Sequence, residues 1–210
     1  MRKQKLMLLA LSAALCLMSA SLNVQAQSTT PNTTDETNLD TQLHIILGTN
    51  QDVVDSKLPA SLEPVVKQLR ATLPFKNYRL AATLINRVKN EGRLELSWIG
   101  GTFASATGAA SAATPSFSQF KVRQVKLVPT AEGAQRVQMV GFYFGARIPI
   151  QTSGAIAANG AVAPSFNYEN TGVSTDISMR ESEPVVVGTL NVGPSGDAII
   201  LVVSAKRTPK

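Results

Sequence analysis

The chain has one cysteine, Cys16, and one histidine, His44, among 210 residues. Cys16 falls in a leader segment, so the rest of the chain has no thiol nucleophile, no thiolate metal ligand and no means of forming a disulfide. A zinc site needs several histidines or thiols and is excluded by the same count. No Gly-x-Ser-x-Gly elbow exposes a serine, and Gly193-Pro194-Ser195-Gly196 has turn spacing instead. His44 lies in an apolar stretch between Leu43 and Ile45 and reads as structural. Phosphate-cradling glycine motifs are missing, and Asp52 and Asp55 are not continued into a calcium loop. Glu91, Glu95, Glu132, Glu181 and Glu183 sit where turns and exposed faces place charge. One Trp and three Tyr provide poorly for the sugar platforms of a glycosidase cleft or for nucleic-acid stacking. The expectation is a non-enzyme with no cofactor, no metal and no nucleic-acid partner.

The N-terminus supplies an address. Arg2, Lys3 and Lys5 precede an apolar run from Leu6 to Met18, and Val24-Gln25-Ala26 before Gln27 has the small-residue pattern of a cleavage site. Residues 1–26 are read as a cleavable signal peptide, which predicts a periplasmic or extracellular protein. The apolar run is too short for a membrane anchor, and no later stretch stays apolar for a membrane-spanning length. The mature chain is expected to have no transmembrane span. Three of its cations leave with the signal, halving the formal net charge of +6. What remains is uneven: residues 27–56 carry five acids and no Lys or Arg, whereas residues 57–147 carry 13 cations against four acids.

Residues 27–41 are rich in Thr, Asn and Asp and read as a flexible polar leader, unable to bury enough surface to offset its ordering entropy. A single domain is expected over 42–210. Leu43 to Leu47 predicts a short buried strand. Leu62, Val65, Val66 and Leu69 recur at helical spacing after Ser61, a candidate cap, and Pro74 ends the run, which predicts one helix over 61–73. The language then becomes that of strands. Tyr78 to Val88 and Arg93 to Trp98 flank a Lys89-Asn90-Glu91-Gly92 turn, and Phe120 to Val128 and Gln135 to Ile150 flank Pro129 to Gly133. Val173, Thr175, Ile177 and Met179 alternate with polar residues, followed by Pro184 to Val192 and Ala198 to Lys206. About eight strands with one main helix make an α+β domain with largely antiparallel sheet. Two Gly/Ala/Ser-rich stretches, 100–114 and 151–163, read as loops.

Lys121 and Arg123 alternate with Phe120 and Val122 and so share one strand face. With Lys126 they form a candidate interaction surface, alongside an apolar edge placed at Phe142 and Phe144; an anionic envelope surface or an acidic partner would suit the cations. Three C-terminal segments also resemble the strand sequence of bacterial outer-membrane secretins: Tyr168-Glu169-Asn170-Thr171-Gly172-Val173, Glu183 to Leu190, and Ile199 to Ser204. The chain departs from that pattern at Thr189, where the family has a second glycine, and lacks its long membrane-inserting hairpins. The resemblance implies a place in an envelope assembly such as a secretion or pilus system, without implying a pore. Together these readings predict an exported envelope protein acting by protein contact, with envelope proteins such as secretion or pilus components as partners. A small-molecule or glycan-binding module with its pocket under the two Gly/Ala/Ser loops is the alternative.

Overall fold

The computed structural model describes residues 37–51, 58–100, 115–130, 133–156, 162–192 and 196–208. Residues 1–36, which hold Cys16, the stretch read as a signal peptide and most of the stretch read as a leader, lie outside the described residues. Eight strands form two antiparallel sheets: β1 (Asn38–Thr49), β2 (Asn77–Lys89), β3 (Gly92–Ile99), β4 (Phe117–Pro129), β5 (Gln135–Ile156), β6 (Val162–Arg180), β7 (Val185–Val192) and β8 (Asp197–Arg207). Sheet A has the order β2-β1-β8-β7 and sheet B the order β3-β4-β5-β6. A 3-10 turn, Ala60–Leu62, leads into one helix, α1 (Glu63–Thr72).

The inner faces of the two sheets pack against each other. Leu43, Ile45, Leu47, Ile199, Leu201 and Val203 of sheet A meet Phe120, Val122, Met139, Phe142 and Phe144 of sheet B. On its other face, sheet A presents Ile46, Ile200 and Val202 to Leu62, Val65, Val66 and Leu69 of the helical segment. The central strands β1 and β8 are therefore buried on both sides, which explains why they read as unbroken apolar runs instead of alternating ones. Tyr78 braces this layer: its hydroxyl donates to the Leu69 carbonyl at 3.0 Å. Gly48 leaves room for Phe75, since a Cβ there would come within 2.6 Å of that ring.

Several expectations need correction. Ser61 is not a cap; it lies inside the 3-10 turn, and no side chain caps α1. Strand β1 begins at Asn38, within the stretch read as leader, because Leu39 is a core residue and β1 pairs with β2 and β8 from there. The Lys89 to Gly92 turn is not a hairpin loop, since β2 and β3 belong to different sheets and the chain crosses between layers there. Glu91 takes the left-handed conformation, with φ 65°. Gly92 is required for a different reason: a Cβ would meet the Lys89 carbonyl oxygen at 2.7 Å.

The largest departure concerns residues 151–163. The β5–β6 ladder continues past Arg147↔Asn170 through Ile148↔Glu169 to Ile156↔Val162, so most of that stretch is strand. Strand β4 ends opposite Arg147, at Phe117. From there, among the described residues, the hairpin is a two-stranded ribbon about 30 Å long at the usual rise per residue. Pro149 and Pro164 both lie in it, where an open strand edge tolerates proline.

The packing makes a direct prediction. Phe142→Ala should lower stability by about 3–5 kcal/mol by opening a cavity between the sheets. Lys126→Ala should change it by less than about 0.5 kcal/mol. Urea denaturation of both variants separates the two.

Candidate functional site

The proposed basic face is assembled on the outer side of sheet B. Lys121, Arg123 and Lys126 all project from that side of β4, although their spacing is not uniformly even. A register shift beside Arg123 and Gly141 resets the alternation, so that Val122 and Val125 both point inward. Gly141 takes φ 64°, and its N–H donates to the Asp176 carboxylate. Lys121 is already partnered, its Nζ 2.7 Å from Glu95. The hydrogen bond from Lys121 holds the Glu95 carboxyl below its ordinary range. Phe142 and Phe144, expected at an apolar edge, are fully buried on an interior strand. They fill the core and cannot meet a partner; Tyr143 between them faces outward.

Beside the basic face lies a concavity of about 500 Å³, lined by Ile99, Phe117, Gln119, Tyr143, Gly145 and Arg147 among others. Register explains its shape. Ile99, Phe117, Arg147 and Asn170 lie across the sheet in one row, and Ser97, Gln119, Gly145 and Gly172 in the next. Two glycines side by side leave the β5–β6 end of the second row without side chains. Strand β6 also comes close to β5 there, because a Cβ on Gly172 would be 2.7 Å from the Phe144 carbonyl oxygen. The tip of Tyr143 occupies the room over Gly145, where a Cβ would lie 2.5 Å from its hydroxyl oxygen. Tyr143 remains 39% exposed, Phe117 40% and Ile99 70%, an apolar rim on an otherwise polar face.

Arg147 is held in place by aromatic neighbours. Its Cζ stands 5.0 Å from the centroid of Tyr168, whose ring lies 6.0 Å from that of Phe117. The Tyr168 hydroxyl donates to the Pro115 carbonyl at 3.0 Å. Among the described residues no carboxylate forms a salt bridge with Arg147. The guanidinium is thus oriented but not neutralised.

A second concavity, about 350 Å³, lies on the outer face of sheet A at the start of the helical segment, lined by Asp40, Gln42, His44, Ser61, Ser182, Ser204 and Lys206. His44 is buried, with Nδ1 3.1 Å from the Thr83 hydroxyl. Burial pushes the imidazole below its ordinary pKa. Asp40 is tied to Arg87 at 2.8 Å, which holds its carboxyl down. No group of three or more His, Cys, Asp or Glu residues among those described could hold a metal ion. No described helix is long and apolar enough to cross a membrane, which says nothing of crossing by strands.

No protein-family model and no curated protein sequence matches the chain. Solved structures similar to it are secretin domains. The InvG secretin β-barrel of the Salmonella SPI-1 injectisome aligns at 9% identity and TM-score 0.33, over 83% of this chain and 64% of that one. PulD in the outer-membrane complex of the Klebsiella pneumoniae type II secretion system aligns at 12% identity and TM-score 0.33, over 83% of this chain and 39% of that one. The chain spans less than two thirds of the length of either.

Sequence reasoning named Lys121, Arg123 and Lys126 but not Tyr143, Gly145 and Arg147, which line the concavity. The alternation of Phe142 and Phe144 with Tyr143 and Gly145 carried part of the signal. The pairing of Gly145 with Gly172 needed the β5–β6 register.

His44 gives a pH prediction. Its folded pKa is depressed below the ordinary value of about 6.5, so its neutral form's contribution to stability is complete above that pH and lost as pH falls through it. The depressed carboxylates Asp40, Glu95 and Glu181 act in a lower window. Denaturation measured between pH 7.5 and 5 should therefore show declining stability in the native chain and a flatter profile in His44→Gln.

Proposed function

We propose that this chain is an exported component of a bacterial cell envelope that works by protein contact and not by catalysis. The observation that carries this reading is the β5–β6 ribbon, which runs on past the end of β4 with no third strand against it among the described residues. An isolated two-stranded ribbon is at best marginally stable in water, so one of this length is suited to being completed by another polypeptide. Open strand edges accept such partners through main-chain hydrogen bonds. Strand β7 offers a second edge, Val185 to Val192, with no charged residue to discourage pairing. The signal-like N-terminus supports export. The finer reading, an accessory of a secretion or pilus assembly, rests on the secretin-like sequence of the last three strands.

The test uses the full chain in its native cells, with a photoreactive residue in place of Gly154 in the ribbon or Lys67 on the exposed side of α1. Irradiation should give discrete adducts from position 154 and none from position 67, and a secretion or pilus protein in those adducts would support the finer reading. Removal of residues 151–163 should abolish partner recovery while thermal melting stays cooperative. A monomeric chain with no adduct from the ribbon would overturn the proposal.

A further inference from the structure

The concavity on sheet B is constructed differently from the ribbon and requires a different kind of occupant. Gly145 lines it, with Gly172 next to Gly145 across the β5–β6 pair; its rim carries the exposed rings of Tyr143 and Phe117, and Gln119, Asn170 and Ser97 line it on the same face. Arg147 stands at one end, fixed against Tyr168 and free of any carboxylate among the described residues. We propose that this face binds a carboxylate-bearing polysaccharide. In the proposed complex the carboxylate pairs with Arg147, a sugar ring lies against Tyr143, and the planar amides of Gln119 and Asn170 bond to hydroxyls.

The chemistry of each part favours that occupant. Guanidinium pairs with carboxylate through two parallel hydrogen bonds, and an oriented guanidinium loses less freedom in doing so than a mobile one. Lys121 cannot take the same role without giving up Glu95, so charge complementarity centres on Arg147. The absence of a side chain at Gly145 lets the Tyr143 ring lie low over the sheet, where a ligand can rest against it. A tyrosine whose tip lies over a glycine presents apolar area and a hydroxyl together, as an amphipathic ring at a wet interface does. Four residues of extended chain separate Tyr143 from Arg147, about 13 Å along the strand, which is room for more than one sugar ring. A peptide bound by strand addition would use a sheet edge instead. The central positions of this face on β4 and β5 offer no free edge, because both strands are paired on each side.

Trp98, the single tryptophan, packs inward beside Phe144, on the other face of the sheet from Tyr143 and Arg147, so binding is read by isothermal titration calorimetry. The probes for the full chain are an oligogalacturonate, a neutral cello-oligosaccharide and an oligoglutamate peptide. Saturable change with the uronate is expected, with a weaker response to the neutral glycan and to the peptide. Arg147→Gln should weaken uronate binding by about tenfold or more, the loss of a charge-assisted pair. Tyr143→Ala should weaken both glycans, and Tyr143→Phe should retain most of the affinity. Circular dichroism melting confirms that each variant is folded; if Tyr143→Ala does not fold, Arg147→Gln decides alone. No saturable response to the uronate, an equal response to oligoglutamate, or unchanged binding by folded Arg147→Gln would overturn the proposal. None of these outcomes depends on the ribbon having a partner.

Discussion

The structure depends on burying the β1–β8 pair from both sides. These strands exchange hydrogen bonds from Leu39↔Arg207 to Gly48↔Ala198, so alternate side chains of each point in opposite directions. Ile199, Leu201 and Val203 meet sheet B, while Ile200 and Val202 meet the helical layer. With a single cysteine the chain cannot cross-link itself, so its stability rests on apolar burial of this kind. Removing either covering layer would expose half of the most apolar strands in the molecule.

One helix cannot cover two sheets. α1 packs on sheet A, and among the described residues no helix covers the outer face of sheet B. Strands β3 to β6 must therefore alternate, apolar inward and polar outward, and the residues able to meet a ligand are gathered on one side. The polar face needs few special devices to gain shape. Two glycines in register on β5 and β6 remove side chains from one end of it, and Tyr143 and an arginine set against Tyr168 stand beside them.

The division between legible and illegible features follows the range of the interactions concerned. Helical spacing at Leu62, Val65, Val66 and Leu69, and alternation from Val173 to Met179, are local signals, and the elements they announced are present within a few residues. The ribbon was misread because Gly, Ala, Ser and Thr supply neither alternation nor strong strand preference, and its ladder is set by pairing across the hairpin. Lys89 to Gly92 has the composition of a hairpin turn, yet whether such a turn joins partners or changes sheets is decided by packing far away. Phe142 and Phe144 were assigned to an edge for a similar reason. An apolar alternation fixes that two residues share a face, but which face is inside depends on the opposite sheet.

Strand β5 connects all of these features. Phe142 and Phe144 anchor it in the core, Tyr143, Gly145 and Arg147 present the concavity, and its last residues build the ribbon. A slip of one residue would exchange the inner and outer sets and put an arginine between the sheets. The register shift between Met139 and Phe142, with Gly141 left-handed and its N–H held by Asp176, sets the parity of β5 from there to Gln151, where a second shift follows before Ser153. The concavity and the first part of the ribbon therefore share one determinant. The bulge at Gly141 is where the core fixes which side chains the chain offers to its surroundings.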